Sequence, residues 1–127
     1  MSTTITVPLV PPSPNVLRRQ YRHPQAYKRL RETWEHSLAY AVPSATVRCH
    51  LLRQASKTRV RVKITVFHSS QYDPDNLTAC CKPVLDALRN IGYIHDDAEE
   101  WLELAAPQQR SGKNTLERKT VVEIEGV

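Results

Sequence analysis

Two short acidic motifs stand out among the residues of this chain that could do chemistry. Asp73-Pro74-Asp75-Asn76 comes first, and Asp96-Asp97 follows about twenty residues later, with Lys82 and Asp86 between them. Carboxylates repel one another, so a group of them at one point needs a counter-charge. A hard divalent cation such as Mg²⁺ supplies one, because it takes oxygen ligands and leaves room for phosphates. Such a site activates water and stabilises the attacking and leaving oxygens of an in-line phosphoryl displacement. The reaction class expected is phosphodiester hydrolysis.

The spacing sets conditions on the backbone. Asp73 precedes a proline and is pushed toward extended geometry. In extended chain, residues i and i+2 face the same side, so Asp73 and Asp75 are expected to present two carboxylates together. Asn76 is expected to cap the next turn or to hold an aspartate through its amide. Of Asp96 and Asp97, successive residues that face opposite ways, one is expected at the metal. Lys82 is a compact cation on a flexible stem. It could stabilise charge developing on a scissile phosphate, or simply pair with Asp86 four residues on.

The rest of the chain has the opposite charge. Residues 1–72 hold twelve Lys and Arg against two acids, whereas residues 73–103 hold eight acids against two bases. The net charge is +5. A basic surface attracts phosphate backbones in a salt-dependent way. Arg18, Arg19 and Arg22 are expected on an irregular loop opened by Pro11-Pro12-Ser13-Pro14, within reach of a nucleic-acid backbone. Arg59, Arg61 and Lys63 are expected on one face of a strand, turned toward DNA, a partner subunit or solvent.

The elements that must position these groups follow from periodicity. Ile5, Val7 and Leu9 alternate as a first strand, which Pro8 confines to an edge or to a short run. Tyr27, Leu30, Trp34 and Leu38 form the stripe of a helix that starts near Pro24 and ends before Pro43. Val47 to Leu51 reads as a strand, and Arg59 to His68 as a stronger one. Pro83 is awkward inside a helix, so the main second helix is expected from Lys82-Pro83 to Asn90, with residues 77–81 as a separate turn. Asn90 and Gly92 supply the stop. Residues 105–117 read as a loop or hairpin connection, and Arg118 to Glu125 as a last strand. The order β-α-β-β-α-β predicts an α+β fold: a mixed sheet of about four strands covered by two helices, in a single domain over residues 1–127.

Several classes are disfavoured. The 40% apolar share suits a globular chain. No apolar run approaches the roughly 20 residues of a membrane span, so no membrane partner is expected. The first residues lack the pattern of a secretory leader. Cys49, Cys80 and Cys81 are odd in number and lack zinc-ligand spacing, which points to a reduced, cytoplasmic protein. The five histidines show no metal spacing, and only His95, beside Asp96, stands near the acids.

Together, Asp73-Pro74-Asp75-Asn76-Leu77, Lys82-Pro83-Val84-Leu85-Asp86-Ala87-Leu88, Gly92 and Asp96-Asp97 resemble the RusA-type Holliday junction resolvase family. That family's pattern is D-x-D-N, then K-x-x-x-D-x-L, then a terminal D-D. The early Pro-Pro-Ser, Asn15 and the arginine-rich stretch are similar as well. The resemblance implies a homodimeric, Mg²⁺-dependent endonuclease, with Mn²⁺ as the alternative ion, that makes paired nicks in branched DNA. It implies Asp73, Asp75 and Asp97 as the metal-site acids and Lys82 as the catalytic lysine. It also implies a bacterial or phage-infected cell as the setting. About three extra residues, near Thr78-Ala79-Cys80, separate the first motif from Lys82. They amount to nearly one helical turn. A catalytically silent junction- or DNA-binding module is the alternative reading.

Overall fold

The computed structural model describes residues 2–127, apart from the side chain of Thr115. The fold is α+β, as expected, with a mixed sheet of five strands. Strand β1 (Ser2–Val7) buries Thr3, Ile5 and Val7 and exposes the residues between them. It pairs only with the last strand, so it is an edge, and Pro8 lies just past its end.

Two helices replace irregular or extended segments expected from the sequence. Arg18 and Arg19 lie not on a loop but on helix α1 (Pro14–Gln20), whereas Arg22 follows in irregular chain, as expected. Ser13 caps it by accepting from the Val16 N–H at 3.2 Å, and Pro14 sits in its first turn, where a missing N–H costs nothing. Helix α2 (Pro24–Ala41) starts and ends where its prolines dictate, and buries Trp34 and Leu38. The strand expected at Val47 to Leu51 is instead part of helix α3 (Ala45–Lys57). The Ser44 hydroxyl accepts from the Val47 N–H at 3.2 Å and starts that helix. Val47, Leu51 and Ala55 then recur every four residues as its inward stripe. Five residues with one β-branched side chain are too few to tell the two periods apart.

Strand β2 (Val60–His68) is the spine of the sheet. Its Val60, Val62, Ile64 and Val66 enter one hydrophobic core with Trp34, Leu38, Val84 and Leu88. After it come helices α4 (Pro74–Cys80) and α5 (Lys82–Asn90), divided at Cys81, in line with the split expected around Pro83. Gly92, at φ 85°, turns the chain out of α5. That left-handed geometry favours glycine. Strands β3 (Leu102–Leu104) and β4 (Gln108–Ser111) both run parallel to β2, one beside each half of it. The segment expected to be a loop or hairpin therefore holds β4 and a 3₁₀ turn, Thr115–Glu117. Polar β4 lacks the apolar alternation that marks a strand. Strand β5 (Lys119–Gly126) lies antiparallel between β1 and β2. Among the described residues, no helix is long and apolar enough to cross a membrane.

Candidate active site

Strand β2 delivers the chain to Asp73, and a polar clamp fixes that delivery. The Gln109 side chain on β4 accepts from the Tyr72 N–H at 3.1 Å and donates to the Tyr72 carbonyl at 2.6 Å. His68 Nε2 lies 3.0 Å from the same Gln109 oxygen, and the His68 and Tyr72 rings meet edge to face at 4.7 Å. Sequence reasoning missed Gln109. It sits in a polar stretch, and only the parallel pairing of β4 with β2 brings it to this turn.

Asp73 is extended, at φ −70° and ψ 164°, as its proline neighbour requires. It, rather than Asn76, is the cap of α4. One carboxylate oxygen accepts from the Asn76 N–H at 2.9 Å and the other from the Asn76 side-chain amide at 3.1 Å. Asp75 is not in extended chain but in the first turn of α4, where it is exposed. The two acids still share the N-terminus of one helix, whose dipole favours negative charge.

Lys82 opens α5. Its ammonium lies 3.3 Å from Asp86 Oδ2 and 4.9 Å from the centre of the Tyr27 ring. The Tyr27 hydroxyl donates to that same Asp86 oxygen from α2. Burial, and then this hydrogen bond, push the Tyr27 phenol well above its ordinary pKa of 10.0. Helix α1, which carries exposed Arg18 and Arg19, packs against α4.

Asp97 lies elsewhere. Helix α5 carries the chain away from Asp73, toward the start of β2. There the Val60 N–H donates to the Trp101 carbonyl at 3.1 Å, and Arg59 Nε to the Glu99 carbonyl at 2.9 Å. The nine residues of β2 separate its two ends by roughly 26 Å. Asp73 and Asp75 follow one end, and the Asp97 loop abuts the other. Arg89, in the last turn of α5, lies 3.6 Å from Asp97 and 3.9 Å from Asp96. The Asp97 N–H donates to Asp96 at 2.7 Å, and this bond is the main cause holding the Asp96 carboxyl below its usual range. The His95 ring packs on Trp101 at 4.1 Å. Among the described residues, no three His, Cys, Asp or Glu side chains gather closely enough to hold a metal ion. Asp97 is thus engaged by Arg89 near its own loop, rather than gathered with Asp73 and Asp75 in a three-acid cluster.

Of the strand cations, Arg61 is ion-paired in place. Arg61 is paired with Glu103 and, at 2.8 Å, with Glu125. Lys63 sits in register opposite Glu123. No known family model matches this chain, and no curated protein matches it either.

Proposed function

We propose that the chain is a Mg²⁺-dependent endonuclease acting on branched DNA, and that it works as a homodimer. The observation that supports this best is the company kept by α4. Its N-terminus holds Asp73 and Asp75, its flank is covered by the arginine-bearing α1, and Lys82 opens the next helix. The helix that carries the acids and the helix that carries Arg18 and Arg19 are thus neighbours.

Within one chain Asp97 pairs with Arg89, and among the described residues no third acid joins Asp73 and Asp75 in a cluster. A second copy that places its Asp97 at the first copy's α4 supplies the missing carboxylate. Asp73 and Asp75 of one subunit would then hold Mg²⁺ together with the other subunit's Asp97. The bound ion would supply an activated water and charge stabilisation at phosphorus. In this reading Arg18, Arg19 and Arg22 hold the backbone. Arg61, already paired with Glu103 and Glu125, contributes less, and Lys63 lies opposite Glu123 on the same sheet. Two-fold symmetry suits the substrate, because a four-way junction offers two equivalent strands to two equivalent sites.

The test is nicking of a synthetic four-way junction in Mg²⁺ by wild type and by Asp75→Asn. Cutting by wild type alone supports the proposal, and equal cutting by both removes it. One observation favours a second reading, a silent junction-binding module: Asp97 is engaged by Arg89 in its own chain. That reading expects tight junction binding with no cleavage in Mg²⁺ or Mn²⁺.

A further inference from the structure

We infer that Tyr27 and Asp86 form a positioning clamp that sets where the Lys82 ammonium rests. The inference takes the role of Lys82 in phosphodiester hydrolysis from the proposed function, but the clamp is argued from geometry alone. Lys82 is exposed, and a free lysine side chain on a helix surface samples many rotamers. Here two contacts from two helices converge on it, and a third joins the partners to each other. Asp86 Oδ2 lies 3.3 Å from Nζ, and the Tyr27 ring lies beneath the ammonium at 4.9 Å. The Tyr27 hydroxyl donates to the same Asp86 oxygen and fixes its direction.

An ordinary i,i+4 pair on a helix surface has none of this support. Its carboxylate rotates, and water screens it. The Asp86 side chain is only 15% exposed, whereas that of Lys82 is 68% exposed. The acid is thus part of the α2–α5 seam, and the lysine reaches back onto it. Tyr27 remains a donor, because its phenol resists ionisation for the reasons given above.

The seam has a second polar link: the Asn90 side-chain amide donates to Glu35 at 2.9 Å. That link ties the same two helices without touching Lys82, so it serves as the control for a purely structural role. Tyr27→Phe keeps the ring under the ammonium and removes only the hydroxyl. Asp86→Asn removes the charge. Asn90→Ala loosens the seam alone.

The experiment has two arms. In the first, trace acetylation followed by mass spectrometry reads the reactivity of Lys82 against the other lysines of the folded chain. A lysine whose nitrogen is engaged by a carboxylate and covered on one side by a ring presents it less often to the reagent, so its rate is expected to rise at least about threefold in Tyr27→Phe and further in Asp86→Asn, and to stay unchanged in Asn90→Ala. In the second arm, junction nicking is expected to lose about tenfold in kcat in Tyr27→Phe with KM unchanged, while Asn90→Ala keeps the wild-type kcat. An unaltered Lys82 rate in Tyr27→Phe overturns the clamp, whatever the nicking result. A wild-type kcat in Tyr27→Phe overturns its bearing on the reaction. If wild type fails to nick while the labelling rates move as stated, the nuclease reading falls and the clamp stands.

Discussion

Replacing Asp73 separates two jobs that one carboxylate is asked to do. As the cap of α4 it satisfies the Asn76 N–H and the Asn76 side-chain amide. Alanine removes both bonds, and losing an N-cap costs about 1 kcal/mol. Helix α4 cannot fray freely to escape that cost, because Leu77 and Cys80 are buried in the core. For a chain of 127 residues, about 1 kcal/mol lowers Tm by about 4 °C. Asparagine caps helices about as well as aspartate, so Asp73→Asn retains the cap. It gives up the interaction of charge with the helix dipole, about 0.3 kcal/mol at an exposed site, and the exposed bond from the Asn76 side-chain amide, because an amide offers one acceptor oxygen where the carboxylate offers two. A neutral amide is a poor Mg²⁺ ligand, so nicking should fall at least about 100-fold in either variant, beyond the usual effect of removing a group that merely orients a ligand. Thermal melts and junction nicking of wild type, Asp73→Ala and Asp73→Asn decide the matter. The expected pattern is a lower Tm in alanine only, with activity lost in both. An asparagine variant as unstable as alanine would refute the capping argument. An asparagine variant that cuts like wild type would refute the metal-ligand role.

Three further outcomes are expected. Gly92→Ala forces a left-handed residue and brings Cβ to 3.1 Å from Leu52, so a urea melt should show a loss of about 1–2 kcal/mol. Because folding raises the Tyr27 pKa above its ordinary 10.0, stability from this residue is fully present below about pH 10 and lost as pH rises toward the folded value; melts between pH 9 and 11 should therefore show a steeper decline for wild type than for Tyr27→Phe. Replacing Arg18, Arg19 and Arg22 together by alanine should flatten the dependence of log binding constant on log salt by about 2–3 units, as read by fluorescence anisotropy on a labelled junction.

The elements legible in the sequence were those with long or strongly punctuated patterns. Helix α2 announces itself through Pro24 and the Trp34–Leu38 stripe, and β2 through the four alternating apolar positions Val60, Val62, Ile64 and Val66. The split between α4 and α5 follows from Pro83. Helix α1 was hidden because Pro14 reads as a breaker until Ser13 is seen to cap it. Helix α3 was hidden because a five-residue window around Val47 fits either period. Strand β4 stayed invisible for a different reason: its residues are polar, and it forms only because β2 offers it a parallel edge. Asp73 is extended as its proline neighbour suggested, but Asp75 lies in the first turn of α4 rather than in extended chain. The position of Asp97 is a property of topology. A parallel crossover from β2 through α5 to β3 must return to the start of β2, and pairwise motif spacing does not register that distance.

The account centres on a site shared between two subunits, and subunit mixing tests that sharing directly. Asp75→Asn and Asp97→Asn are each expected to be inactive alone. If Asp73 and Asp75 of one subunit work with Asp97 of the other, a mixed dimer carries one site with both lesions and one site with none. Co-refolding the two variants in equal amounts should then restore single-strand nicking of a four-way junction to about a quarter of the wild-type rate, since half the dimers are mixed and each holds one intact site. A mixture as inactive as its components, under conditions where wild type cuts and mixed dimers form, would contradict the shared site.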